Sequence, residues 1–477
     1  MKIGFLSPRG TERNQSNSVF AEVYRELRYV LTFSVDDIEF IPNLGLLAIA
    51  SMLPSDIEMK YIDEDYIDPD TAEAITWDEK FDLVCLSACN NQAKRAYQIS
   101  ERFRKRGIPV VIGGYHPSAL PDEVKEHCDA VVIGEGETAI VRVVEDLRRG
   151  ALQPFYRTQG WVDLTRVPPP RFDIIGDITR FNKIPLHATR GCPWNCKFCS
   201  IVPIFGHKIR KKTVDQVIAE IEMVKAMYPN PYITFGDENM FVDRKYAKEL
   251  LRRMVPLKVR WECYTDVSVA QDDELLELCR DSHCVELLIG LESLSRETLH
   301  EQEPWKAKQF DKYDGWVEAI RKIQSFDVGV MGLFIVGFDQ DDRGVFRRIK
   351  QFIDDTDLYD VDFAVLCPIP GTQIYNDMKA KGRILTENWD EYTWMHVNFQ
   401  PLQMTPMELQ EGLLWLFREV CTIEWLERRR QYMRAFYARL FDDPTRAWGA
   451  HDTALRNRLQ EAASKGIGAS HSWRRIS

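Results

Sequence analysis

The chain has 477 residues, 45% hydrophobic and 28% charged, which suits two or three globular domains and excludes a disordered class. Its net charge of -11 argues against a general binder of phosphate backbones, and no run of about 18 apolar residues offers a transmembrane helix. The first eight residues are too short an apolar run for a signal peptide, so the 11 cysteines are expected as free thiols in a reducing cytoplasm.

Over residues 1–155, short apolar runs alternate with amphipathic ones. Runs at 2–6, 58–62, 83–87, 110–112 and 130–133 read as strands, and 44–53, 92–106, 121–127 and 139–149 as helices. Continuous apolar strands between helices predict a parallel sheet covered on both faces, a doubly wound Rossmann-like domain. Ligands of such sheets bind beyond the carboxyl ends of the strands. Those ends carry Ser87-Ala88-Cys89-Asn90, Gly113-Gly114-Tyr115-His116-Pro117 and Gly134-Glu135-Gly136-Glu137. Glycine admits a bulky ligand close to the backbone, and it serves simple tight turns equally well.

Val167-Pro168-Pro169-Pro170 breaks the pattern, and a linker is placed at 156–183. From 184 to 400 a second series follows, with strands at 186–189, 232–236, 260–264, 285–290, 329–336 and 362–366. Helices at 214–227, 244–253, 272–281, 312–326 and 342–354 separate them. Six strand–helix units in series predict a partial (β/α)6 barrel with its active site at the carboxyl ends of the strands. Residues 401–477 read as a helical extension, helical over 405–437 and polar after 450. It is expected either to cap the barrel mouth or simply to pack on the barrel.

The densest chemistry lies in Arg190-Gly191-Cys192-Pro193-Trp194-Asn195-Cys196-Lys197-Phe198-Cys199-Ser200. Three cysteines at i, i+4 and i+7 follow a Gly-Cys-Pro punctuation that indicates a loop rather than a helix. A loop lets three thiolates converge on one centre. Iron–sulfur clusters usually take four cysteines, so three leave one iron open to a substrate or cofactor. Structural zinc wants four ligands, usually as two separated pairs, and only His207 lies near enough to add one. Three buried, inert thiols are the plain alternative.

Cys192-x3-Cys196-x2-Cys199, with the aromatic Phe198 before the last cysteine, resembles the motif of the radical S-adenosylmethionine (radical SAM) enzymes. The resemblance implies that these cysteines hold a 4Fe-4S cluster whose open iron is chelated by the amino and carboxylate groups of S-adenosylmethionine. One electron then cleaves the sulfonium to a 5′-deoxyadenosyl radical. Four strand ends match elements that line the cofactor in that family. Phe235-Gly236-Asp237-Glu238-Asn239 matches the amino-group site through Gly236, Asp237 and Glu238. Acidic groups there suit an ammonium, although Asp237 or Asn239 would serve equally as a helix N-cap. Tyr264-Thr265-Asp266-Val267-Ser268 matches the ribose strand through Asp266 or Ser268. Ile289-Gly290-Leu291-Glu292-Ser293 resembles the family's Gly-Ile-Glu-Ser element. There Ile289 would face adenine, Gly290 would allow close approach and Glu292 would add a polar contact. Phe334-Ile335-Val336-Gly337-Phe338-Asp339 matches another strand that lines the cofactor in that family, through Gly337, and Phe198 would present its backbone to the adenine edge.

Behind Ile41-Pro42-Asn43-Leu44-Gly45-Leu46, the positions Gly113, Gly114, His116, Gly134, Glu135 and Gly136 resemble the cobalamin-binding domain of one large radical SAM class. Cobalamin would sit over the strand ends. The Asp-x-His-x-x-Gly motif that supplies a histidine ligand elsewhere is absent, which leaves a histidine-off mode or no cobalamin. Cys367-Pro368-Ile369-Pro370-Gly371-Thr372 corresponds to a loop of the same members, and Phe399-x-Pro401-Leu402-x-Met404-Thr405 resembles class B methyltransferases near the hopanoid methylase group.

The resemblance implies a cytoplasmic enzyme that methylates an unactivated carbon of a small-molecule or lipid substrate. An electron donor such as flavodoxin or ferredoxin would feed it, and no nucleic acid partner is expected. One rival is a cyclase, rearrangement or oxidation enzyme without methyl transfer. A methylthiotransferase would want a cysteine in Ser7-Pro8-Arg9-Gly10, which has none. A metal-binding module without catalysis would need none of the four strand-end elements. His207-Lys208-Ile209-Arg210-Lys211-Lys212 reads as a solvated loop, with Arg210 available to a carboxylate, and Cys263, Cys279 and Cys284 read as buried thiols. Trp389, Tyr392 and Trp394 suggest either an apolar pocket or ordinary core.

Overall fold

The computed structural model describes residues 1–10, 41–65, 74–305 and 313–440, so the polar tail expected after 450 lies outside the described residues. They fall into two compact units. The first holds the described residues up to Thr265 together with Cys367–Gln400; the second holds Asp266–Leu366 and the described residues from Pro401 onward.

The first unit opens with the expected doubly wound sheet. Strands β1 (Lys2–Ser7), β2 (Glu58–Asp63), β3 (Leu83–Ser87), β4 (Val110–Gly113), β5 (Ala130–Ile133) and β6 (Phe155–Arg157) stand in the order β2-β1-β3-β4-β5-β6. Every neighbouring pair is parallel. Ile3, Phe5, Leu83, Val84, Val110 and Val131 are all buried, as continuous apolar strands must be when both faces of a sheet are covered. The chain reverses its winding between β1 and β3, and such sheets take ligands beyond the carboxyl ends at that switch point. Strand β6 was not foreseen. Its three residues run exposed, buried, exposed, too short a stretch to register as a period of two.

Short 3-10 turns at Leu164–Arg166, Phe172–Ile175 and Ile178–Arg180 fill the proline-rich linker. Strand β7 (Ile184–Leu186) stops earlier than the expected 186–189. The next residues instead form β8 (Thr189–Arg190), antiparallel to β9 (Arg210–Lys211). Strands β10 (Tyr232–Phe235) and β11 (Arg260–Thr265) complete the parallel trio β7-β10-β11. Helix Val214–Met227 follows β9 and opens on a capping box between Thr213 and Gln216, which satisfies two of its free amides.

In the second unit β12 (Cys284–Glu292), β13 (Gly329–Val336) and β14 (Asp360–Val365) pair in parallel and alternate with helices Arg296–Gln302, Tyr313–Ser325 and Val345–Thr356. The helical stretch expected at 405–437 is two helices, Pro406–Val420 and Ile423–Leu440. Cys421 leaves helical geometry with ψ 70°, and the Thr422 hydroxyl accepts from the Trp425 amide to cap the second helix. Helix Pro406–Val420 packs on Val345–Thr356 and β14, with the Phe417 ring 5.2 Å from that of Phe363. Among the described residues no helix is long and apolar enough to cross a membrane.

Candidate active site

The cysteine loop leaves β8 and returns into β9, so a two-residue antiparallel ladder pins its ends. Gly191 has φ 101°, and a Cβ there would lie 2.6 Å from the Lys208 carbonyl oxygen, which makes glycine necessary for the turn. The Cys192 amide donates to the Gly206 carbonyl at 3.2 Å, and the Cys199 amide to that of Cys196 at 3.1 Å. The Ile374 amide donates to the Lys197 carbonyl at 3.1 Å. The backbone is tied down while the thiols stay only half-buried. Cys192, Cys196, Cys199 and the Phe198 side chain between them are half-buried, whereas Cys263, Cys279 and Cys284 are buried, as expected for inert thiols.

That contrast bears on metal binding, because the thiolate is the ligand. Burial pushes the Cys85 thiol up to about 12, away from the thiolate. Three half-exposed thiols on one tethered loop fit an iron–sulfur centre better than any buried cysteine does. Among the described residues no three His, Cys, Asp or Glu side chains stand close enough to hold a single metal ion. A four-iron cube sets its thiolates farther apart than one ion does.

Strand β10 ends beside this loop. Asp237 is completely buried, and its carboxylate accepts from the Ala188 amide at 3.0 Å and from the Thr189 amide. Burial pushes its carboxyl up to about 6. Asp237 therefore joins β10 to the entry of the cysteine loop. A Cβ at Gly236 would lie 2.8 Å from His187 Nε2, so this glycine makes room for an imidazole. Burial, with the positive Arg190 and Lys212 nearby, pushes that imidazole down to about 3 and keeps it neutral. Glu238 accepts from the Gly191 amide at 2.8 Å, one residue before Cys192. Burial, reinforced by Asp237, pushes its carboxyl up to about 7.

At the ends of β4 and β5 the glycines do most of the shaping. Gly114 has φ 106°, and a Cβ there would lie 2.9 Å from both the amide nitrogen and the carbonyl oxygen of Ala88. Its absence lets the β4 loop lie on the β3 loop, where the Ala88 amide donates to Gly113 and the His116 amide to Ala88. Ser118 carries no motif, yet it links the two glycine loops. Its hydroxyl donates to the Gly114 carbonyl at 2.7 Å and accepts from the Gly134 amide at 3.0 Å. Gly134 has φ 84°, and a Cβ at Gly136 would lie 2.8 Å from Ile49. These glycines let the loops after β4 and β5 pack closely on Ala88 and Ile49.

The polar residues of these loops turn inward. His116 is fully buried, with Nδ1 3.2 Å from Asn90 Nδ2 and Nε2 2.8 Å from the Tyr97 hydroxyl. Both ring nitrogens are engaged, so His116 offers no imidazole to cobalt. Tyr97 and Trp389 both donate to Glu123, at 3.0 and 2.7 Å, and the Trp389 ring meets His116 edge-on. Trp389 and Tyr392 thus belong to a core cluster with Ala93, Cys367 and Tyr375, while Trp394 is 55% exposed. Glu135 accepts from Arg190 and Arg210, each at 2.7 Å, and from the Val162 amide at 3.0 Å. Glu137 accepts from Arg190 at 2.7 Å. The run 207–212 is a solvated loop only at His207 and Lys208, which are exposed; Arg210 and Lys211 form β9, and Lys212 is buried against Glu220 at 2.6 Å.

The second unit carries the remaining expected positions. Asp266 accepts from the Ser268 amide at 2.8 Å and so caps the turn Val267–Gln271. Ile289 is buried within β12. Glu292 takes φ 57° where β12 shifts register against β13, an uncommon conformation for a residue with a side chain. A Cβ at Gly290 would collide with the Glu292 carboxylate, so the pair must be read together. Gly337, with φ 107°, and Phe338 both donate their amides to Asp341, at 2.9 and 3.0 Å. Burial pushes the Asp341 carboxyl up to about 6, and this acceptor lies outside every motif.

A glycine-rimmed, doubly wound sheet followed by a three-cysteine loop and two parallel strand trios defines a two-cofactor α/β enzyme. Residues 39–144 match the B12 binding domain and residues 186–353 the Radical SAM superfamily. The fold is similar to that of the radical S-adenosylmethionine methyltransferase TsrM from Kitasatospora setae, solved with cobalamin and a [4Fe-4S] cluster bound. The TM-score is 0.67 at 14% identity, over 97% of this chain and 99% of that one. Bacteriochlorophyllide d C-12(1)-methyltransferase of Chlorobaculum tepidum is 30% identical over 395 residues, covering 81% of this chain and 84% of the relative. Hopanoid C-2 methylase of Rhodopseudomonas palustris is 26% identical over 365 residues, covering 74% and 67%. The chain belongs to the radical S-adenosylmethionine enzymes that carry a B12-binding domain. Its cofactors are a 4Fe-4S cluster, S-adenosylmethionine and cobalamin.

Proposed function

We propose that the protein methylates an unactivated carbon of a polycyclic, largely apolar small molecule or lipid. The observation that carries the reading is the loop of three half-exposed cysteines, joined through Arg190 to the glycine-rich ends of the first sheet. The relatives named for a bacteriochlorophyllide and for a hopanoid support the substrate class. When bound, the cluster and S-adenosylmethionine supply a radical that removes hydrogen from carbon, and cobalamin supplies the methyl group.

The chain's own task is to hold these groups in line and to exclude water and oxygen. Cys192, Cys196 and Cys199 would take three irons. The backbone at Phe198, Gly236, Gly290 and Gly337, with Glu238, Asp266 or Ser268, Ile289 and Glu292, would receive S-adenosylmethionine. Gly113, Gly114, Gly134 and Gly136 would present backbone to cobalamin. No histidine from these loops joins them, because His116 is engaged on both nitrogens. A flavodoxin or ferredoxin would deliver the electron, in a cytoplasmic setting, and nucleic acid is not a partner.

The test is an anaerobic incubation of the reconstituted protein with cobalamin, a reductant and S-adenosylmethionine carrying a deuterated methyl group. Bacteriochlorophyllide and hopanoid substrates are offered in turn, and products are read by mass spectrometry. A labelled methyl on either product is the expected result. Formation of 5′-deoxyadenosine with an altered substrate that carries no label would sink methyl transfer in favour of rearrangement or oxidation.

A further inference from the structure

Four buried charges join the glycine rim to the cysteine loop. We propose that Glu135 and Glu137 are positioning residues for the iron–sulfur centre, fixing the cysteine loop to the cobalamin-side loop through Arg190 and Arg210. The proposal rests on the cluster and cobalamin reading above.

Strands β8 and β9 form a ladder of only two residues on each side. So short a hairpin has little stability of its own. In its register Arg190 stands opposite Arg210, and like charges directly opposite each other on a ladder repel. Something outside the hairpin must hold it closed. That role falls to two carboxylates 55 and 53 residues before Arg190, Glu135 in the loop after β5 and Glu137 at the first turn of helix Glu137–Arg148. Glu135 contacts both guanidinium groups and Glu137 contacts Arg190, each at 2.7 Å.

The side chains are 9% exposed for each arginine, 1% for Glu135 and 4% for Glu137, so the charges are nearly removed from water. Two positive and two negative groups balance, which is the condition for burying them at all. Arg210 also donates to the Phe205 carbonyl at 3.0 Å, and the Phe205 ring lies under Arg190 at 5.4 Å. The network therefore grips both ends of the segment that contains Cys192, Cys196 and Cys199. Its other end alternates with the rim itself, because Glu135 lies between Gly134 and Gly136. Neither carboxylate needs to touch a cofactor to set the separation of the two sites.

The test uses full-length, anaerobically reconstituted protein, with Glu137→Gln and Glu135→Gln as variants. Glutamine keeps the shape and one acceptor while it removes the charge. Two readouts are taken on the folded fraction: the electron paramagnetic resonance spectrum of the reduced cluster with S-adenosylmethionine, and the Kd for hydroxocobalamin. Each substitution is expected to shift the spectrum and to weaken cobalamin by about 10-fold to 100-fold, the usual cost of losing a supporting partner behind a ligand set. Glu137→Asp, which keeps the charge, is expected to restore the spectrum in part. If a glutamine variant does not fold, Glu135→Asp is read in its place with the same expectation of a shifted spectrum. A lower melting temperature with wild-type spectrum and wild-type Kd would overturn the proposal and leave the network a purely structural one. Wild-type protein that binds neither cluster nor cobalamin would overturn the earlier reading as well, so the two failures are distinguishable.

Discussion

Two strand-end regions of the first unit treat their polar side chains in opposite ways. At the ends of β4 and β5, His116, Glu135 and Glu137 are buried, and glycines let the loops pack closely. At the cysteine loop the backbone is tied to Gly206, Cys196 and Ile374, and the thiols stay half-exposed. The difference suits what each region is proposed to hold. A macrocycle presents a broad face that side chains would obstruct, whereas an iron–sulfur cube needs sulfur ligands delivered by side chains. In one region the informative residue is therefore the glycine, and in the other the cysteine. Charged residues beside either one brace it.

The comparison can be broken most sharply from the cysteine side. Cys196→Ala should abolish cluster absorption and 5′-deoxyadenosine formation while leaving cobalamin retention at the wild-type level. Loss of cobalamin in a folded variant would show that the two regions are not built separately. From the glycine side, Gly114→Val combines a left-handed φ with overlap against the Ala88 backbone. A cost of about 4 kcal/mol in denaturant unfolding is expected from the two effects together. Cobalamin retention should fall with it, and wild-type stability would contradict the packing described for the rim.

A third test concerns the acid under the cysteine loop. Asp237 has a folded pKa of about 6, above its ordinary value near 4, because burial disfavours the charge. The folded state then binds the proton more tightly than the unfolded state does. Stability contributed by this group is present below about pH 4 and is lost as pH rises through about 6, by about 2 to 3 kcal/mol. Unfolding measured across that window should flatten in Asp237→Asn, and an unchanged slope would remove Asp237 from the account. The smallest effect is expected at Trp389→Phe. It deletes one hydrogen bond to Glu123 behind His116 and should cost about 1 kcal/mol without altering the cluster spectrum.

How much of this was legible beforehand depended on the range of the interactions involved. Helix Val214–Met227 and strand Gly329–Val336 match their expected bounds because apolar runs and a local capping box declare them within a few residues. The cysteine loop was equally legible, since its three thiols lie within eight positions. Strands β6, β8 and β9 were not, because two or three residues carry no period. The inward roles of His116, Asp237 and Glu135 were invisible for a different reason. Their partners Asn90, Ala188 and Arg190 lie 26, 49 and 55 residues away, and no local pattern announces a partner at that distance. Arg210 meets a carboxylate as its charge suggested, but no local pattern shows that the carboxylate is Glu135, 75 residues away.

The proposal places both cofactors on one chain, the cluster on cysteine side chains and cobalamin near the glycine-rich strand ends. The most direct measurement is the absorption spectrum of protein reconstituted anaerobically with iron and sulfide, offered hydroxocobalamin and then desalted. A cluster band together with stoichiometric retained cobalamin is the result predicted. No cluster band, with Cys192, Cys196 and Cys199 still open to alkylation, would contradict it at the cysteine loop, and cobalamin lost on desalting would contradict it at the glycine rim.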